Sequence, residues 1–238
     1  MYGTTTDTQA GSTARWLVAA FFALAIIFTP LLMASWFALC PEYGDPACPG
    51  TSHPQDYFPA VRAAQGQLLQ LFLLINLLVP YIFPLGFIGM GLASWRRGPW
   101  LTIVGVAFGW ISAIAWGPVA DQIFTWTTMA RENHDATFAA LLLAVVADWH
   151  VYFGVGAVWV IGHLLAYIIL GVAFWRARVA PAWSAIVIVL AAPVMGPLAY
   201  GFQQNALQIF GYLMVAVASI PVARYLWPGP RPETAGKL

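Results

Sequence analysis

The stretch DWHVYFGVGAVWVIGH, Asp148 to His163, sets two of the chain's four histidines, a carboxylate and two tryptophans inside one long apolar run. Imidazoles in such surroundings can ligate a metal or haem, orient a lipophilic head group, or relay a proton. The spacing decides which of these the pair can do together. His150 and His163 are thirteen positions apart, which on a regular helix is about 20 Å of rise and about 140° of rotation, so one ion cannot be held by both.

His150 belongs to a rim set. RENHD, residues 131–135, and ADWH, residues 147–150, flank the apolar segment ATFAALLLAVVA. If its ends return to one rim, His134, Asp135, Asp148 and His150 supply two imidazoles and two carboxylates, a donor set suited to zinc, copper or non-haem iron. The competing reading is a solvated rim whose acids and aromatics sit at the membrane interface. The interval from His150 to His163 resembles the second half of the Asp-x3-His-x12-His copper pattern in the C subunit of copper-dependent membrane monooxygenases. Position 146 is valine, so the first half is absent and the resemblance implies no copper site.

His163 lies deep in its run and needs a partner, because an imidazole in hydrocarbon without a hydrogen bond costs a few kcal/mol. Asn76 stands at similar depth on another apolar run. Three readings follow: a neutral interhelical hydrogen bond, a ligand contact for a quinone or haem, or a proton relay. A bis-histidine haem would need a second embedded histidine, which the runs lack, although Met33, Met90, Met195 and Met214 are available as sulfur donors. A retinal Schiff base is excluded, since the only lysine is Lys237. The amide-rich YGFQQNALQ contains Tyr200 and Gln208, which either form a wet turn or give a cavity a hydrogen-bonding lip.

What positions these groups is a membrane. Hydrophobic residues make up 61% of the chain and charged residues 8%, too little polar surface to cover a water-soluble globule. Runs of roughly 20 apolar residues, enough to cross a hydrocarbon core, occur six times: about 16–39, 68–94, 100–119, 149–175, 182–202 and 206–227. The expected fold is an all-α, six-span integral membrane bundle, a single domain over 16–227 with short tails at 1–15 and 228–238. Residues 136–147 are expected to form an extra outside helix between spans 3 and 4. Running span 4 back through Arg131, Glu132 and Asp135 would carry three charges into the bilayer.

Charge chooses the orientation. With alternating spans, Arg15, Arg96, Arg97, Arg176, Arg178, Arg224, Arg231 and Lys237 share one side. The other side holds Arg62, Arg131 and seven of the nine acids. The positive-inside rule then places both termini in the cytoplasm of a multi-pass cell-membrane protein. Cys40 and Cys48 bracket PEYGDPA in the first outside loop, where a disulfide persists. Gly105 and Gly109, with Gly86, Gly89 and Gly91, are expected to pack helices closely, and the pairs Pro80/Pro84 and Pro193/Pro197 to permit kinks.

Three functional classes fit. The first is a lipophilic-ligand or cofactor binding protein, or an accessory subunit packed in a larger complex or homo-oligomer. The second is a redox or metal-dependent enzyme subunit using His150 or His163. The third is a small-solute transporter, the least supported because no carboxylate or arginine lies inside a span. The first is preferred, and it needs no catalytic group. The bilayer is its evident partner, and no basic, aromatic-interleaved face points to nucleic acid.

Overall fold

The computed structural model describes the backbone of residues 5–40, 54–64, 66–135, 137, 140–141, 144 and 149–227. It describes the side chains of 13–40, 58–64, 66–135, 137, 140–141, 144 and 154–227. These residues form helices and connecting turns with no strand among them. The helices are α1 (Thr5–Ala38), α2 (Pro54–Ala63), α3 (Gln67–Ser94), α4 (Pro99–Arg131), α5 (Trp149–Ala177), α6 (Ala182–Gly201) and α7 (Asn205–Leu226). All but α2 are long and apolar enough to cross a membrane.

Each span packs antiparallel on the next, and α7 closes the ring against α1. The register can be read from the contacts. Thr29 of α1 lies against Gly86 of α3, Phe87 of α3 against Gly109 of α4, Ser112 of α4 against Gly162 of α5, and Val189 of α6 against Gly171 of α5. At the α1–α7 seam Trp16 meets Trp227 edge-on at 6.2 Å. One end of the bundle therefore carries Arg15, Arg96, Arg97, Arg176, Arg178 and Arg224, the basic end. The opposite, acidic end carries Cys40, Arg131, Glu132 and Asp135.

The expected small-residue packing is present, and it is used internally. A Cβ added at Gly86 would come within 2.6 Å of Thr29 Oγ1, and one at Gly105 within 2.7 Å of Leu170 Cγ, closer than side chains approach. Gly105 and Gly109 serve different neighbours, α5 and α3 respectively. The glycines of these seams are consumed within the monomer.

The third span corrects the expected boundary. Pro118 and Asp121 mark an end near residue 119, yet α4 continues to Arg131. Its 33 residues rise about 50 Å, well beyond a core of about 30 Å. The extension persists because it is amphipathic: Ala120, Ile123, Trp126, Thr127 and Ala130 are buried, while Asp121, Thr125 and Thr128 face out. Thr125 and Thr128 return their hydroxyls to the carbonyls four residues back. Asn133, with φ of 59°, then ends the helix in the left-handed conformation, and His134 N–H closes onto Met129 O at 3.0 Å.

Helix α2, unforeseen in the sequence, packs on this extension. Phe58 and Val61 are its buried contacts. Arg62 fastens it, donating through Nε to Ala130 O at 3.0 Å, pairing with Asp135 and lying over the Phe58 ring. The described residues of the segment expected as an outside helix, Thr137, Ala140, Leu141 and Ala144, are helical.

The two proline pairs behave differently. Helix α3 runs unbroken through Pro80 and Pro84. In α6, Pro193 immediately precedes and Pro197 lies within a π-turn, Val194–Leu198, the local underwinding by which a helix accommodates missing N–H groups.

Candidate functional site

His163 sits in α5 with 4% of its surface exposed. Trp159, His163 and Tyr167 recur every four residues, the spacing that places them on one face of the helix. His163 Nδ1 lies 2.7 Å from Trp159 O. A carbonyl oxygen only accepts, so Nδ1 carries the proton and Nε2 of the neutral ring is left with its lone pair.

Aromatic rings from four helices form a closed circuit through this imidazole. The circuit starts with Trp36 on Trp116 at 4.9 Å, then Trp116 on Trp159 at 4.4 Å, and Trp159 on His163 at 4.6 Å. It continues with His163 stacked on Tyr212 at 6.1 Å, Tyr212 on Phe37 at 5.7 Å, and Phe37 back on Trp36 at 4.9 Å. Phe83 and Tyr167 approach the imidazole edge-on at 6.2 and 6.5 Å. Edge-to-face and offset pairs at these separations each add about 0.5–1.5 kcal/mol beyond burial.

Asn76 is fully buried but does not meet His163. Its Nδ2 donates to Ala120 O at 3.1 Å, and its backbone carbonyl accepts Trp116 Nε1 at 3.4 Å. The expected His163–Asn76 bond is replaced by an indirect link, because the Trp116 and Trp159 rings complete the path between them. Asn205, at the start of α7, donates through Nδ2 to Phe37 O at 2.9 Å and so caps the end of α1. Gln208 is buried on the same face of α7 as Asn205 and Tyr212. Tyr200 is half-buried, and its carbonyl accepts Gln203 Nε2 at 2.8 Å.

Several buried polar atoms around this circuit have no partner: Trp36 Nε1, Asn76 Oδ1, Asn205 Oδ1 and Tyr212 Oη. Leaving such a group unpaired costs about 1–3 kcal/mol, so each of these atoms is a position where a further hydrogen-bonding group would be stabilising. A shallow recess lies beside the circuit, between α1 and α3, lined by Thr29, Pro30, Gly86, Met90 and Phe87 and reaching Tyr167 of α5. It has no room for even a water molecule, so a ligand-sized cavity, of roughly 300–1,000 Å³, is not open there.

The rim set is not assembled among the described residues. His134 and Asp135 are exposed, and Asp135 is paired to Arg62. Asp148 lies outside the described residues, as does the His150 side chain, and no group of three metal-binding side chains occurs among those described. Cys40 is buried at the end of α1, and Cys48 lies outside the described residues.

The sequence reading missed Trp159, Tyr167, Phe83 and Tyr212 as ring partners of His163, and Trp116 and Trp36 behind Trp159. The four-residue repeat of Trp159, His163 and Tyr167 is the local pattern that could have pointed to the two on its own helix. No protein-family model, curated protein or solved structure matches the chain. The fold alone defines its class, a multi-pass integral membrane helical protein.

Proposed function

We propose that the chain is a membrane-embedded binding protein for a lipophilic ligand with a planar, hydrogen-bonding head group, held at the His163 circuit. The carrying observation is the set of four unpartnered buried polar atoms on Trp36, Asn76, Asn205 and Tyr212 gathered around stacked rings. Together with His163 Nε2 they offer two donors, the Trp36 indole N–H and the Tyr212 hydroxyl, three further acceptors and aromatic faces, the mixture that orients a quinol-like head group whose hydroxyls both donate and accept. The recess at the α1–α3 seam is closed, and an apolar tail would enter there from the lipid once α1 and α3 part.

The accessory-subunit reading is less favoured, because the seam glycines already pack within the monomer. The orientation belongs to the same proposal: the basic end cytoplasmic, the acidic end outside, and Cys40 bridged to Cys48 there. Thiol titration of the unreduced folded protein is expected to find no free thiol; two titrating thiols would remove the bridge.

The function is tested by extracting and identifying small molecules from purified wild type, His163→Leu and Tyr212→Phe. A lipophilic species present in wild type and lost from both variants, at similar melting temperatures, is the expected result. Identical extracts from all three would rule out the site.

A further inference from the structure

Both hairpin turns at the basic end are built from the same residues. Between α3 and α4 the chain reads WRRGPW, Trp95 to Trp100, and between α5 and α6 it reads WRARVAPAW, Trp175 to Trp183. In each, a tryptophan ends one helix, two arginines follow, and a proline introduces the next helix just before a second tryptophan. Pro99 occupies the first turn of α4, and Pro181 caps α6.

The two turns touch. Arg97 Nη1 donates to Ala177 O at 2.9 Å, the residue between Arg176 and Arg178. Four exposed guanidinium groups, on Arg96, Arg97, Arg176 and Arg178, are thereby gathered on one edge of the bundle. None has a carboxylate partner among the described residues, where the ion pair present is Arg62–Asp135 at the opposite end. The sequence places only Asp7 and Glu233 at this end. Like charges held this close repel one another until an anion neutralises them.

Arg178 adds a second observation. Its φ is 51°, and Val179 N–H closes onto Phe174 O behind it, the left-handed helix ending that favours glycine. The chain keeps an arginine where a Cβ is strained. Around the arginines, Trp95, Trp100, Trp175 and Trp183 are 51%, 79%, 64% and 50% exposed, the disposition of indoles at a head-group boundary. Leu92, Ile103 and Ile186 form exposed apolar surface one turn deeper.

We propose that these paired turns form a binding site for the head group of an anionic phospholipid. Phosphodiester oxygens accept N–H groups from the arginines, whose planar forks suit bidentate phosphate contacts. The indoles flank the glycerol region, and the acyl chains run down the apolar outer faces of α3 to α6. The apolar surface below the charges fits a lipid rather than a soluble anion.

The test uses the full chain in zwitterionic detergent, with native mass spectrometry and thermal melting as readouts. Phosphatidylglycerol, phosphatidylcholine and inorganic phosphate are added separately. Wild type is expected to retain phosphatidylglycerol at least tenfold over phosphatidylcholine and to melt several degrees higher with it, with no shift from inorganic phosphate. The double variant Arg176→Gln/Arg178→Gly relieves the left-handed strain, so it should melt without lipid at or above the wild-type temperature while losing the preference. Equal retention of both lipids by wild type, an equal shift with inorganic phosphate, or undiminished preference in the double variant would each overturn the site.

Discussion

The two halves of the bundle use tryptophan in opposite ways. At the basic end every span contributes one outward indole: Trp16, Trp95, Trp100, Trp175, Trp183 and Trp227, all at least 45% exposed. Towards the acidic end Trp36, Trp116, Trp126 and Trp159 are at most 7% exposed, and three of them belong to the circuit around His163. The difference follows from position in the apolar runs. An indole at the edge of a run reaches the interface, where its N–H finds water or head groups. One inside a run either faces the lipid, as Trp110 does at 47% exposure, or packs inward and needs a partner in the protein, which Trp116 finds at Asn76 O and Trp36 does not. One end is therefore built to grip the membrane surface, and the other encloses a polar site.

Removing one tryptophan from each half tests this division with the largest effect. Trp116→Ala is expected to cost about 3–5 kcal/mol, the usual range for a buried tryptophan. Trp100→Ala in micelles should stay within about 0.5 kcal/mol, as for surface substitutions generally. Unfolding in a denaturing detergent, followed by circular dichroism, measures both. Comparable losses from the two variants would erase the distinction between the halves.

The arginines sharpen the same contrast. Arg62 at the acidic end is satisfied, by the Ala130 carbonyl, the Asp135 carboxylate and the Phe58 ring. Arg62→Ala should release α2 from α4, with a local loss of about 1.5–3 kcal/mol for the charge-assisted bond to the carbonyl. Asp135→Asn should cost under about 1 kcal/mol, since that pair is exposed and screened. Hydrogen exchange across residues 54–64 and 120–131 reports both changes. Unaltered exchange in Arg62→Ala would mean that α2 is held by Phe58 and Val61 alone.

The spans were legible because hydrocarbon thickness and charge segregation are one-dimensional properties of a sequence. The ends of all six lie within a few residues of the expected positions, except that α1 starts at Thr5, inside the stretch expected as a tail, and α4 continues past Pro118 to Arg131. That extension obeys a helical burial pattern from Ala120 to Ala130, but its buried face is defined by α2, a partner separated from it by α3. His163 was legible as a buried polar group, while its neighbours were not. Trp36, Trp116 and Tyr212 come from three other helices, and only the register fixed by the seam glycines brings their rings together. The expected bond to Asn76 matched depth correctly and missed the rotation of α3, which turns the amide towards Ala120 of α4.

Asn76 offers the finest division within the acidic half, between a polar group that stabilises the fold and one that waits for a ligand. Its amide makes one interhelical bond, from Nδ2 to Ala120 O, and such bonds in membranes average about 0.6 kcal/mol. Its Oδ1 has no partner, which costs about 1–3 kcal/mol. Asn76→Leu removes both terms and leaves the backbone carbonyl to accept Trp116 Nε1 as before. The ligand-free variant should therefore be within about 1 kcal/mol of wild type, or slightly more stable. A wild type carrying its copurified lipophilic molecule should instead be the more stable of the two, since only it can fill Oδ1. The measurement compares unfolding of both proteins before and after delipidation. A loss above about 2 kcal/mol in the delipidated variant would show that the amide is structural and that Oδ1 is not an open position in the site.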